Sequence, residues 1–222
     1  MSKTTYKTSS SIFEFGTPDK FGVSYKVNKL IKNSDKELTT YTVDDATTII
    51  CDCAFWKSNK LEHVTLPQGL KAIGERAFQE CSSLKEIHIP VGVEVIKSNA
   101  FSDCTNLTSI TIPSSVKVIG GRAFKGCTNL TNITIEEGVE VIESNAFDSC
   151  VALTEVTLPE SIKEIQAWAF AECANLNKVR ISGDVKKMGG WVFLNCRNLT
   201  NVDIPDDLKY NKNIFDGCDN IK

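Results

Sequence analysis

Apolar side chains recur along the chain at a fixed spacing of 23 residues. Seven phenylalanines from Phe55 to Phe193 follow one another at this spacing, and Phe215 comes 22 residues later. A longer pattern surrounds them, A-F-x-x-C-x-x-L-x-x-I-x-I-P-x-x-V-x-x-I, which is clearest over residues 100–127. Its Cys position is filled by Ser58, Cys81, Cys104, Cys127, Cys150, Cys173, Cys196 and Cys218. Such self-similarity predicts a repeat protein in which one structural unit is copied along a stack.

Each unit contains one segment with the period of a β-strand. In L-x-x-I-x-I the last two apolar residues are two positions apart, and Thr, Val and Ile are frequent there, as in strands. A proline follows in most units and lacks the N–H that a ladder requires, so it ends the strand. The remainder, V-x-x-I-x-x-x-A-F-x-x-C, is interpreted as a compact turn, with a short helical or 3₁₀ segment at A-F-x-x-C.

A single unit cannot bury its apolar residues, but stacked units bury them against one another. The strands are therefore predicted to form a parallel sheet with a spacing of about 4.8 Å. The bulkier Ala-Phe turns on the opposite side should need more room. We therefore expect a curved solenoid with the sheet on its concave face and the turns on its convex face.

The 23-residue pattern resembles the BspA-like leucine-rich repeats, which occur in surface proteins of bacteria and parasitic protists. The resemblance covers about residues 38–222, beginning with the unit Leu38-x-x-Tyr41-x-Val43. It implies a leucine-rich repeat solenoid of the α/β type that binds other macromolecules, often in adhesion. A location at the cell surface or in the secreted fraction is likewise implied by the resemblance alone.

Residues 1–37 do not fit the repeat and are assigned to a separate N-terminal region. Residues 1–10 are rich in Ser, Thr and Lys and predict a mobile tail. The segments SIFEF and KFGVSYKV alternate apolar and polar residues around the turn signal GTPDK, which favours a β-hairpin. This hairpin would cap the first unit, and residues 38–222 would form the repeat domain.

Composition and charge exclude several classes of partner. The chain has 25 Lys and Arg against 28 Asp and Glu, a net charge of −3, and offers no general attraction for nucleic acid. No apolar run approaches the roughly 18–20 residues that span a bilayer, so membrane insertion is not expected. The first residues contain no apolar segment typical of a secretion signal.

The cysteines and histidines offer little catalytic chemistry. Adjacent cysteines of the repeat should lie beyond the 7 Å Cα limit for a disulfide on a wide outer side, so we expect reduced structural thiols. Cys51 and Cys53 lack further ligands for zinc. His63 and His88, the only histidines, lie on the strand side and away from the thiols. We therefore predict no enzyme activity, metal or cofactor; a weak surface metal site at His63, His88 and Glu86 is the less favoured alternative.

The outward positions of the strands form two polar columns on the predicted concave face, and these are the candidate partner-binding residues. The first column contains His63, Glu86, Ser109, Asn132, Glu155, Lys178 and Asn201. The second contains Thr65, His88, Thr111, Thr134, Thr157, Arg180 and Asp203. Threonine is also favoured on any solvated strand face, which is the alternative explanation.

An apolar patch is predicted on the outer side. The position two before each Phe holds Arg or Asn in five units, but Trp168 and Trp191 in two others. Together with Leu194, Ala167 and Ala171 they would form an exposed apolar surface, which is typical of an interface. Covering by the C-terminal segment through Tyr210 is the alternative.

These observations predict a non-enzymatic protein-binding module, acting in adhesion or partner recognition through the solenoid surface. The alternative is a structural or self-associating scaffold that assembles through its C-terminal edge. Ile214, Phe215 and Ile221 lie in the last unit, which is incomplete, and an open strand edge there would pair with another chain. A homodimer through the C-terminal region, or truncation from a longer parent, would explain it.

Overall fold

The computed structural model describes residues 28–30, 35–205, 208, 210 and 212–221. The predicted tail and N-terminal hairpin fall on residues outside this description. In these described residues the regular structure consists of sixteen short strands and one 3₁₀ helix. The strands are β1 (Asn28–Leu30), β2 (Thr40–Thr42), β3 (Thr47–Ile50), β4 (His63–Thr65), β5 (Ala72–Ile73), β6 (Glu86–Ile87), β7 (Val95–Ile96), β8 (Ser109–Ile112), β9 (Val118–Ile119), β10 (Asn132–Ile135), β11 (Val141–Ile142), β12 (Glu155–Leu158), β13 (Glu164–Ile165), β14 (Lys178–Ile181), β15 (Lys187–Met188) and β16 (Asn201–Asp203).

The strands form a parallel β-solenoid of about seven turns. The even-numbered strands come from the predicted L-x-x-I-x-I segments and form ladders β2-β4-β6, β8-β10 and β12-β14-β16. We call their outward surface the front face. Paired residues differ by 23 positions, as in Thr111 opposite Thr134, so the sequence repeat is also the register of the sheet.

A second sheet replaces part of the predicted turn. The odd-numbered strands form one continuous parallel sheet in the order β1-β3-β5-β7-β9-β11-β13-β15, and all of them except β1 come from the V-x-x-I segments. Ile73 pairs with Ile96 and Ile96 with Ile119. The interpretation of V-x-x-I as a turn was wrong, because successive copies lie close enough for their backbone N–H and C=O groups to pair along the stack. β1 joins this sheet although its sequence does not match the repeat.

The A-F-x-x-C segments are turns rather than helices. The described residues contain one 3₁₀ helix, Lys212–Phe215, and no α-helix, so the expected helical segments are not confirmed for the other units. Arg122 and Gly126 show why, since both have positive φ, 58° and 72°, and interrupt any right-handed run. The backbone bonds to the next unit instead: Phe78 N–H donates to Ala100 O at 2.7 Å, and Glu80 N–H to Ser102 O at 2.8 Å.

The core is organised around the phenylalanine column. Phe55 to Phe193 are fully buried, and consecutive rings, including Phe215, lie nearly parallel with centroids 4.9–5.7 Å apart. This distance is close to the ~4.8 Å spacing of parallel strands. The expectation of a much wider outer side was therefore wrong, because the turns are hydrogen-bonded to one another as closely as the strands are.

Removing one central ring should expose the dependence of the stack on this column. Phe124→Ala should lower the free energy of unfolding by about 3–5 kcal/mol, because it leaves a cavity between two stacked neighbours. Thr134→Ala, on the exposed front face, should cost well under about 1 kcal/mol. Urea denaturation followed by circular dichroism measures both. Equal losses for the two variants would show that the buried and exposed faces are assigned wrongly.

Candidate functional site

The front face carries all fourteen predicted partner-binding residues. Both columns are exposed along their whole length, from His63 and Thr65 to Asn201 and Asp203. The residue between the two columns points inwards in each strand; Val64, Ile87 and Ile110 are at most 7% exposed. The strand period thus places the two columns side by side, as the sequence predicts. The structure brings these residues onto one surface, and their role in binding stays a prediction.

A cavity of about 660 Å³ opens on this face above β4, β6 and β8. Its polar lining includes His63, Glu86, His88, Ser109 and Thr111. It spans the interruption of the front ladder between β6 and β8. Both histidines of the chain therefore share one recess, with the His63 Nδ1 atom 3.6 Å from Glu86 Oε1. Sequence reasoning found the residues but not the recess, which lies where the front ladder is interrupted after the two-residue β6.

The polarity of the front face changes along the stack. Ser109, Thr111, Asn132 and Thr134 form an uncharged centre that can donate and accept hydrogen bonds. The C-terminal end is charged, and Arg180 Nε lies 3.3 Å from Asp203 Oδ2. Within the described part of the chain, no group of three or more His, Cys, Asp or Glu side chains is arranged to hold a metal ion.

The cysteine column forms a ladder of thiols inside the core. All nine cysteines are free, and the six from Cys81 to Cys196 are buried. Each repeat thiol donates to the phenylalanine carbonyl of the preceding unit, at 3.0–3.3 Å between Sγ and O. The absence of disulfides is not explained by a wide spacing of the cysteines, since neighbouring units lie only about one strand spacing apart. Each thiol is instead directed at a carbonyl oxygen.

Burial makes these thiols poor nucleophiles. It raises the pKa of Cys81 from 9.0 to about 12 and holds the pKa of Cys104 and Cys150 well above the ordinary value. The thiolate is the reactive form, so these side chains are chemically quiet at neutral pH. His63 and His88 lie on the exposed front face, away from the buried thiols.

The outer side carries a stacked tryptophan pair. The rings of Trp168 and Trp191 are 5.3 Å apart and within 7° of parallel, and each side chain is 38% exposed. Both residues have positive φ, 59° and 56°, like Arg76 and Arg122 in the same position of earlier units. A left-handed backbone is unusual for so bulky a residue. Asn99 and Asn145 occupy the same position in other units, and asparagine adopts a left-handed backbone more readily than most residues, so the sequence does carry a signal for this conformation.

The patch around this pair is smaller than predicted. Ala171 is only 2% exposed and does not belong to it, because its turn is packed against the next unit, while Leu194 is half-buried. Tyr210 packs edge-on against Phe215. The contact from the last turn comes instead from Asp216, whose Oδ2 accepts a hydrogen bond from Trp191 Nε1 at 3.1 Å.

These repeats match a known family over nearly the whole described chain. The family described as BspA type leucine rich repeat region (6 copies) matches residues 28–150 and 94–222. The chain belongs to this family. Leucine-rich repeat proteins of this kind generally mediate protein–protein interactions and are typically not enzymes. The match confirms the family predicted from the 23-residue pattern, and it begins at β1.

Solved structures show the same fold. The leucine-rich repeat protein TpLRR of T. pallidum is 28% identical, with a TM-score of 0.74 over 86% of this chain and 91% of that one. A leucine-rich repeat protein from Eubacterium ventriosum is 26% identical, with a TM-score of 0.72 over 82% of this chain and 51% of that one. A leucine rich cell surface protein from Faecalibacterium prausnitzii is 20% identical, with a TM-score of 0.51 over 90% and 79%. No curated protein matches the sequence significantly.

None of the helical structure in the described residues has the length and apolar character needed to cross a membrane.

The thiol ladder predicts a large difference in labelling between the folded and unfolded protein. At about pH 8 a thiol reagent should label the folded chain slowly and chiefly at Cys51, Cys53 and Cys218, which are only half-buried. After denaturation all nine thiols should react. Mass spectrometry of alkylated, unreduced protein gives the count for each site. Disulfides between buried cysteines of adjacent units would contradict the assignment.

Proposed function

We propose that the protein is a non-enzymatic binding module whose front face receives another protein, in adhesion or partner recognition. The observation that carries this proposal is the exposed front face, formed by three successive ladders, with its cavity of about 660 Å³ over β4, β6 and β8. The solenoid holds these side chains on a rigid hydrogen-bonded frame, so little order has to be gained on binding. The family's general role in protein–protein interactions supports a protein partner.

The chemistry of the front face defines the kind of partner that it fits. The uncharged centre offers hydroxyl and amide groups to neutral polar groups, while the C-terminal end presents Lys178, Arg180 and Asp203. Neither column contains Trp, Tyr or Phe, so affinity depends on hydrogen bonds, shape and the cavity rather than on a large aromatic anchor. Nucleic acid fits poorly with a net charge of −3, and membrane insertion is not part of the proposal.

A location at the cell surface or in the secreted fraction is part of the same proposal. The structural relative from F. prausnitzii is named as a cell surface protein, which supports this location for a recognition module. Fractionation of the source cells, with an antibody raised against the repeat domain, tests it.

A charge placed in the front-face cavity should weaken recognition without disturbing the fold. Partners are captured on wild-type protein and identified, and their affinity is then measured for Thr111→Lys. Because Thr111 lines the cavity, its replacement should weaken binding about tenfold or more. The matched control is Ser149→Lys on the outer side, where Lys57 already occupies the corresponding position. A partner that binds both variants as tightly as wild type would refute the proposal.

The second candidate function is a self-assembling scaffold that associates through its C-terminal region. The observation in its favour is the exposed Trp168–Trp191 stack beside Leu194, since an apolar surface of this kind is typical of contact sites. In a twofold dimer the same patch would face itself. Such a dimer would not depend on the front face.

The tryptophan pair can be tested by light scattering. If this pair forms the contact, wild-type protein should have the mass of a dimer, and Trp168→Arg with Trp191→Arg should have that of a monomer because the apolar contact is replaced by charge. Arginine is compatible with this backbone, since Arg76 and Arg122 adopt the same positive φ in equivalent positions. A wild type that stays monomeric at high concentration would remove this candidate.

A further inference from the structure

The second sheet exposes a surface that neither proposed function uses. In V-x-x-I the flanking Val and Ile are buried, whereas the two middle residues are exposed or half-buried. One of these positions forms an apolar column, and Val95 and Val118 at its centre are 43% and 37% exposed. The column runs through five successive strands, namely Ile49, Ala72, Val95, Val118 and Val141, and ends at Glu164. We call this surface, with the charged column described next, the side face.

The charged column lies directly beside the apolar one. It alternates in sign at every step over five units, in the order Lys71, Glu94, Lys117, Glu140 and Lys163. Within the chain, Lys71 Nζ lies 3.7 Å from Glu94 Oε1, and Lys163 Nζ lies 2.9 Å from Glu140 Oε2. Alternation of charge along the stack gives ion pairs between neighbouring units. It also means that a second copy of the column, running in the opposite direction, can place a Lys opposite each Glu.

We propose that the side face is a twofold contact between two copies of this chain, with the axis between β7 and β9. A twofold axis in the plane of the contact, perpendicular to the stack, reverses the order of the strands and leaves each column opposite itself. Val95 then faces Val118 of the second copy, and Ala72 faces Val141. In the charged column Glu94 faces Lys117, and Lys71 faces Glu140.

The position of the twofold axis along the stack is chosen by two criteria, namely that like charges do not face each other and that the central valines do not face a charge. An axis through β7 would place Glu94 opposite Glu94, and an axis through β9 would place Lys117 opposite Lys117; like charges directly opposed are unfavourable. An axis between β9 and β11 would bring Val95 against Glu164. The position between β7 and β9 forms two kinds of Lys–Glu pair near the axis, each occurring twice by symmetry. It confines the unfavourable contacts to the two ends of the column, where Ile49 faces Glu164 and Lys29 faces Lys187.

Exchanging Lys and Glu within the charged column tests this contact, and it uses only the two residue types that the column already contains. Sedimentation equilibrium of the full chain at low ionic strength should show a dimer. Lys117→Glu should weaken it about tenfold or more, because the new carboxylate faces Glu94 of the second copy. Glu94→Lys combined with Lys117→Glu should restore the wild-type constant to within about twofold, because opposite charges again face each other.

Three controls keep the test decisive. Lys163→Glu makes the same charge change in the same column but faces Thr48 of the second copy, so the dimer should be unchanged. Val118→Lys places charge in the apolar centre and should dissociate the dimer. Circular dichroism melting checks that every variant is folded, which is expected because Lys and Glu both occur in the charged column and Lys187 in the apolar one.

The proposal is overturned by any of three results: a wild type that is monomeric throughout, a double exchange that behaves like Lys117→Glu alone, or a dimer that only the Trp168→Arg, Trp191→Arg variant dissociates. The last result would assign self-association to the tryptophan pair instead. Recognition through the front face is tested separately, since its variants lie on the other sheet.

Discussion

Every feature of this solenoid depends on one repeat distance, which is set by hydrogen bonds between successive turns. The front ladders, the second sheet and the A-F-x-x-C turns all bond to the next unit, and the phenylalanine rings stack at 4.9–5.7 Å between them. A parallel strand spacing of about 4.8 Å is thus imposed on all sides of the molecule. Any side chain that recurs with the 23-residue period becomes a column, whether it is a buried ring, a thiol or a surface charge.

This constraint explains why the sequence predicted the repeating unit and its first strand but not the second sheet. The phenylalanine, leucine and proline positions identified the unit, its strand and the family, because inward positions tolerate few residue types in a dense core. The second sheet was missed because V-x-x-I has the three-residue spacing of a turn. Its pairing arises only when successive copies are brought within hydrogen-bonding distance, and that information lies between units rather than within one.

The cysteines illustrate the same limit. Their single position in the repeat indicated burial, and burial is observed for six of them. The reason offered for their reduced state, a wide outer side, was wrong, whereas the thiol contact with the preceding Phe carbonyl could not be read from spacing. The two front-face columns could be predicted from strand alternation alone, but the cavity lies at an interruption of the front ladder that the repeat does not indicate. Site placement therefore follows from periodicity, and site shape does not.

The outward positions are where the units differ, and each side of the stack differs in its own way. Hydroxyl and amide groups dominate the centre of the front face, alternating charges flank valines on the side face, and two indoles replace Arg and Asn on the outer side. Because stacking is carried by the backbone and the inward residues, these columns vary at little cost to stability. Trp168 and Trp191 are the exception, since a left-handed backbone is unfavourable for a bulky side chain and asparagine would fit it better. The two rings stack on each other and Trp191 also donates a hydrogen bond to Asp216, yet both residues remain 38% exposed. This exposure is consistent with a contact made outside the chain.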